Sequence, residues 1–425
     1  MLFRYLKIFF ITLSVCVISL VVIAMLPNEK VKEHCKEAAY IYNSTNDIFP
    51  EKLKGRPDTV MDYYADSIAL SIIYSLDSSR PLSSVLEAKY RETKGEFVVE
   101  SFKDLVEEKG EAQTEYTRYW HGYIVLLKPL LMIFGIKQIH IISALILMIL
   151  VLVIIKQLWN IDKKIIIIIL LAFYMISIFI VPQCFEYTWV FMIAFTVSII
   201  VLKIDKGENK KLYPIFWITG MLTCFFDFLT VEMLTILLPL MLIIIKRNKQ
   251  NRLLGFKDTF KFIIVSILIW SVSYIAMYIA KWVIASIVLN KNYIIEAIQK
   301  GKIRINGEVR YVEEGKMWIE AIRRNFNNLY PIYFIRKKII IYVLLPVILI
   351  IFLLINNYRY KNKYNGYIYG LLIIGLLPYI RYILLPNHSC YHYIFTFRLQ
   401  LVTIVCFFAI IMQAFTKENE KEIDS

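Results

Sequence analysis

What this sequence lacks narrows the field first. Its six cysteines, Cys16, Cys35, Cys184, Cys224, Cys390 and Cys406, include no CxxC pair, so spacing offers neither a zinc knuckle nor a disulfide framework. Cys16, Cys224 and Cys406 lie in apolar runs, where a thiol serves as a small hydrophobe. Histidine occurs only five times. There is no internal repeat and no low-complexity tract. Glycine is scarce beside abundant Ile, Lys, Tyr and Asn, the composition of an AT-rich bacterial genome.

What the chain does have is long uncharged runs. It is 58% hydrophobic with a mean hydropathy of +0.58, and a bilayer-spanning helix needs roughly 17–25 apolar residues. Such runs occupy about 5–26, 139–155, 165–182, 188–202, 212–226, 231–245, 259–281, 338–355, 366–385 and 399–415. The expectation is an all-α integral membrane protein of about ten transmembrane helices, forming a single polytopic domain over 1–425. The first run is longer than a signal-peptide core and is read as a retained helix. The 123–138 stretch, with Lys128 and Pro129, reads as a re-entrant or interfacial lead-in.

The formal net charge of +15 would suggest nucleic acid if it covered one soluble face. Instead the basic residues fall in short gaps: Lys156, Lys163 and Lys164; Lys203, Lys206, Lys210 and Lys211; Lys246, Arg247, Lys249 and Arg252; Arg359, Lys361 and Lys363. Strict alternation puts these gaps, Arg4, Lys7 and the tail 416–425 on one side. By the positive-inside rule that side is the cytoplasm, with both termini inside and the chain multi-pass in the cell membrane. Two long loops then face out. The first, 27–122, reads as a helical cap. The second, 283–337, contains "KIRINGEVRYV", where Asn306-Gly307 between alternating residues predicts a small β-hairpin. It continues into a helix lying on the outer surface, with Met317, Trp318, Ala321, Ile322 and Phe326 on one face.

The chemistry-bearing residues gather on that outer side. In "DTVMDYYADSIAL", Asp62 and Asp66 are four apart, so a helix shows both carboxylates on one face. Each then raises the proton affinity of the other, as a general base near neutral pH requires; a helix N-terminus also favours acids. In "TEYTRYWHGY", Tyr119 and Trp120 suit an aromatic belt, whereas Arg118 and His121 suit contact with a phosphate. "CFFDFLTVE" places Asp227 and Glu232 between apolar runs, where an acid is costly and commonly functional; Asp227 equally suits a helix cap. "RYILLPNHSCYHYIFTFR" carries His388 and His392, flanked by Arg381 and Arg398. Without an adjacent acidic ligand, these histidines favour anion or substrate contact over zinc.

With a first helix, a large outer loop, interfacial helices and an acidic residue in the loop, the layout resembles the multi-spanning GT-C glycosyltransferases. "YTRYWHGYIVLLKPLL" and "NHSCYHYIFTFR" are also similar to segments of uncharacterised Gram-positive membrane proteins found with surface-polysaccharide functions. The resemblance implies transfer of a sugar from a polyprenyl-phosphate donor to a surface glycan or lipid acceptor at the outer leaflet, within cell-envelope polysaccharide biosynthesis. Asp62 or Asp66 stands at the position of the base, with Asp47 as an earlier alternative. Arg118, His121, His388 and Arg398 would hold the leaving phosphate, with Tyr119 and Trp120 stacking on sugar or isoprenoid. Neither metal nor cofactor is expected, and no nucleic-acid partner. The alternatives are a flippase or transporter of lipid-linked sugars, against which bare span centres and the missing repeat weigh, an O-antigen-type polymerase, and a non-catalytic assembly partner.

Overall fold

The structure is a computed structural model describing residues 2–45, 47–253, 255–307, 312–313, 315–335, 338–360 and 365–415. Among these the regular elements are all helical. Two isolated antiparallel bridges, Glu51 with Val60 and Tyr90 with Thr114, pin irregular stretches of the first long loop.

The chain opens with α1 (Leu2–Ala24) and folds a cap from α2 (Glu29–Asn43), α3 (Tyr63–Tyr74), α4 (Pro81–Glu87) and α5 (Val98–Val106). The short α6 (Ile124–Leu131) leads into α7 (Ile136–Trp159), α8 (Lys163–Met175), α9 (Phe185–Ile204), α10 (Asn209–Phe226), α11 (Leu234–Lys249) and α12 (Phe256–Leu289). The second long loop holds α13 (Tyr293–Asn306) and α14 (Met317–Asn327). The chain then runs through α15 (Lys338–Tyr360), α16 (Asn365–Leu384), α17 (Pro386–Tyr391), α18 (Tyr393–Thr396) and α19 (Leu401–Ala414).

Six segments are long and apolar enough to cross a membrane: 3–24, 136–159, 185–204, 256–289, 365–384 and 393–414. The chain is therefore a multi-pass membrane protein. Of the other four sequence runs, all helical, three fall short: α8 has 13 residues and α11 has 16, and α10 opens on Asn209, Lys210 and Lys211. α15 has 23 residues, of which Leu344–Arg359 is an apolar helix among the described residues.

The expected hairpin is not formed on its first arm: Lys302–Asn306 end α13, and 308–311 lie outside the described residues. Asn292 caps α13 by accepting the Ile295 amide at 3.3 Å, and this N-terminal start carries the helix through the alternating "KIRIN". The tail 416–425 also lies outside the described residues.

Burial separates the centre from the rim. α11 is buried all round from Leu234 to Arg247, as a helix at the heart of a bundle must be. α1 leaves Phe3, Phe10, Val15, Ile18 and Val22 exposed, a surface suited to lipid. α10 and α12 cross at Gly220, where an added Cβ would overlap the Ser273 hydroxyl and the Trp270 carbonyl; without a hydrophobic force between helices, small residues permit this approach.

Helix ends are closed by buried cations. Lys128 Nζ donates to the Ala24 and Leu26 carbonyls at 3.1 and 2.8 Å, beyond the last turn of α1. Lys246 Nζ donates to Leu202 and Asp205 carbonyls at the end of α9, and Lys281 Nζ to Leu86 of α4 at 3.0 Å. Each ammonium meets carbonyls that lack an intrahelical donor, at the negative end of the helix dipole. Lys281 thereby ties the cap to the bundle.

Candidate functional site

A cavity of about 1110 Å³ lies between the cap and the bundle. Its wall comes from segments far apart in sequence. Asp62 caps the N-terminus of α3, accepting the Ala65 amide at 2.8 Å. Glu186 lies in the first turn of α9. Both line the cavity, and each carboxyl influences the ionisation of the other. Two carboxylates so placed disfavour being ionised together. Burial pushes Asp62 up to about 6, against the hydrogen bond from the Ala65 amide, which pulls it down. The pair therefore offers one carboxylate poised near neutrality beside a group that holds a proton.

A cationic side of the same cavity carries Arg118, Arg304, His388 and His392. The Arg118 guanidinium lies 4.8 Å from the Tyr116 ring centre and 5.7 Å from that of Tyr119, an arrangement stabilised by the negative faces of the rings. Arg304, at the end of α13, donates to His392 Nε2 at 3.0 Å. Neither arginine pairs with a carboxylate among the described residues. Burial, with Arg304, Arg381 and Arg118 nearby, drives His392 down to about 3, and burial with His392 and Arg381 drives His388 well below its usual value. Both rings are neutral at pH 7. Since an arginine can only donate, His392 accepts through Nε2 and carries its proton on Nδ1. The rings stand 4.5 Å apart. No group of three metal-ligating side chains forms among the described residues.

His121 has a different part from a phosphate donor. Its Nε2–H donates to the Tyr116 carbonyl at 2.7 Å, and burial lowers its pKa to about 3. Nδ1 is then a lone-pair acceptor, and it is buried without a partner. Such a nitrogen can accept a hydrogen bond but not donate one, and among the described residues no donor reaches it. The backbone there is left-handed, φ 56°, and Gly122 next to it donates to the Phe225 carbonyl at 2.8 Å.

Five residues singled out in the sequence stand behind the cavity wall rather than in it. Asp66 is fully buried, accepting the Phe185 amide at 2.8 Å and the Tyr42 hydroxyl at 3.2 Å. It anchors the N-terminus of α9 and so places Glu186. Burial and the Asp62 charge hold it well above the carboxylate range. Trp120 is buried and donates Nε1–H to the Met277 carbonyl at 2.8 Å, locking the site segment to α12. Asp227 accepts the Leu229 amide at 2.8 Å and the Thr230 amide and hydroxyl, closing the turn after α10. Glu232 pairs with Arg381 through two contacts, 2.9 and 3.2 Å, and Arg381 in turn reaches Ser389 Oγ at 3.0 Å and His388 Nδ1 at 3.5 Å. Arg398 donates to the Asp58 carbonyl at 3.1 Å, while Asp58 pairs with Arg56 and accepts Ser177 Oγ. That clamp steadies the loop that ends at Asp62.

Asp47 also lines the cavity, with its Oδ1 taken by the Phe49 amide at 2.9 Å. Glu186 and Arg304 were not singled out from sequence. A second, apolar groove of about 380 Å³ runs between α9 and α10, past Trp189, Ile193, Ile218 and Leu222. Three elements pass from cavity to groove within a turn: Tyr123 to Leu126, Glu186 to Trp189, and Phe228 to Phe226.

No protein-family model, curated protein or solved structure matches the chain. The functional reading rests on this geometry.

Proposed function

We propose that the chain is a membrane glycosyltransferase that moves a sugar from a polyprenyl-phosphate carrier to a hydroxyl of a surface glycan or lipid at the outer leaflet. One observation carries this reading: a polar cavity with a carboxyl pair on one side and, on another, two arginines with no carboxylate partner among the described residues adjoins an apolar groove along the bundle. That combination matches an amphiphile with an anionic junction. The chain lies along α9 and α10, the phosphate sits near Arg118 and Arg304, and the sugar occupies the tyrosine-rich cavity.

In this mechanism the acceptor hydroxyl gives its proton to the Asp62 carboxylate. Its oxygen bonds to the anomeric carbon as the bond from that carbon to the phosphate oxygen breaks. Polyprenyl phosphate leaves as an anion, and Arg118 and Arg304 stabilise the charge that develops on it. Glu186, the second carboxyl of the cavity, tunes the ionisation of Asp62 by its proximity.

The test is a reconstituted assay with radiolabelled polyprenyl-phosphate sugars and a panel of glycan and lipid acceptors. Acceptor-dependent loss of label from the carrier supports transfer. Movement of the intact lipid-linked sugar between leaflets, without transfer, supports a flippase instead.

A further inference from the structure

α13 is attached to the rest of the protein by a narrow strip. Tyr293 and Ala297 are buried, and Arg304 points to the cavity. At 3.6 residues per turn these lie within about 40° of one another around the axis. A second group, Ile294, Ile298 and Ile305, also falls within about 40° of itself, roughly a third of a turn from the packed strip. These isoleucines are exposed, at 39%, 52% and 47%, with Ile295 beside them at 55%. Glu296, Gln299 and Lys300 take the remaining face, with Ile303, 52% exposed, among them. α13 thus shows an apolar stripe left open among the described residues, with a mostly polar face on the opposite side.

The surface next to that stripe indicates what covers it. α12 ends at Asn290, whose left-handed backbone, φ 52°, turns the chain into α13. Along α12, Leu268, Val272, Ile275, Ile279, Val283 and Ile287 are all exposed, at the spacing of one helix face, on a helix apolar enough to cross a membrane. This lipid-facing stripe leads to the start of α13. α12 has 34 residues, a length of about 51 Å. With ordinary tilt that fills the roughly 40–45 Å of a bilayer including its headgroups. The turn at Asn290 therefore falls at headgroup level, and Lys291, Lys300 and Lys302 add positive charge there.

We infer that α13 is an interfacial helix whose Ile294, Ile298 and Ile305 stripe rests on the lipid surface at the headgroup–acyl boundary, the bilayer thereby supporting the helix that delivers Arg304 to the cavity. The partner is the lipid surface itself, by apolar insertion with basic residues at the headgroups.

Spin-label accessibility tests this on the full chain in lipid nanodiscs, independently of any transfer activity. Labelling at introduced cysteines is selective because the native cysteines are buried. Labels at Ile298→Cys and Ile305→Cys are expected to relax with membrane-dissolved oxygen, like a label at Leu268→Cys. Labels at Glu296→Cys and Gln299→Cys are expected to relax with an aqueous nickel chelate, like one at Lys94→Cys. If the 298 and 305 labels respond to nickel as strongly as the 299 label and not to oxygen, α13 stands clear of the membrane and the inference fails. The labelled positions are exposed, so a folding defect does not obscure the result.

Discussion

Glu186 and Asp62 face the same cavity as a carboxyl pair, one at the first turn of a bundle helix and the other at the N-cap of a cap helix. This pairing sets the pH dependence expected of transfer. With Asp62 at about 6, the base is protonated and idle below that value and ionised above it. Activity should rise as pH increases through about 6 and then level. Asp62→Asn should lower transfer by about 10²–10⁴-fold and remove the acid limb of the pH–rate profile. Glu186→Gln should keep the limb but displace it.

Arg118 and Arg304 face the cavity without a carboxylate partner among the described residues, so removing either should not strand a buried charge. Arg118→Ala and Arg304→Ala are expected to weaken donor use by about tenfold or more each, the scale of a lost charged hydrogen bond, with little change in thermal stability. Initial rates against donor concentration, alongside melting curves, separate the two effects.

Trp120 is the reverse case. Trp120→Phe removes the second donor to the Met277 carbonyl, which stays within the α12 ladder, and should cost about 0.5–1.5 kcal/mol of stability, the net scale of one hydrogen bond, while transfer at low temperature persists. Thermal unfolding in detergent and an assay well below the midpoint check this.

These contrasts explain what was legible in the sequence. The "TRYWHGY" segment could be recognised as a site wall because Arg118 and His121 have no place in a belt of aromatics. Its internal division was hidden, since only the fold shows Trp120 turned to α12 and the His121 N–H spent on Tyr116. Asp62 and Asp66 are four apart, but Asp62 is the N-cap rather than a helical residue, and Asp66 turns toward the N-terminus of α9. Glu186 escaped notice because it opens an apolar helix, where a single acid reads as a boundary residue. Arg304 escaped because period-two alternation in "KIRIN" was read as a strand, whereas the cap at Asn292 continues a helix through it. The helix over 317–327 was legible from its apolar face, and Ala321 of that face is buried. All ten apolar runs are helical in at least part, and among the described residues six helices have the length and hydropathy of spans.

The Glu232–Arg381 pair predicts a stability effect that depends on which partner is lost. Both side chains are nearly inaccessible, at 6% and 2%. Glu232→Ala leaves a buried guanidinium without its counter-charge and should destabilise by about 3–5 kcal/mol. Glu232→Met with Arg381→Met together should cost less than the sum of the single changes, as a double-mutant cycle of unfolding would show.

The apolar groove makes a prediction about chain length. Ile193→Trp fills part of it and should raise KM for long-chain donors by about 10-fold or more, the scale of a misfit in an apolar pocket. A donor whose chain is too short to enter the groove should be used as well by the variant as by the unaltered protein.

The most direct measurement follows the bond that transfer must break. Proteoliposomes carrying the protein or Asp62→Asn would be given a sugar-labelled polyprenyl-phosphate donor with an acceptor, and free polyprenyl phosphate and labelled acceptor would be quantified together. We expect the two products in equal amounts from the unaltered protein, and a loss of both by at least about 100-fold in Asp62→Asn with folding intact. Equal product yields from both proteins, or a labelled lipid that changes leaflet and stays whole, would contradict the assignment of this cavity as a glycosyl-transfer site based on Asp62.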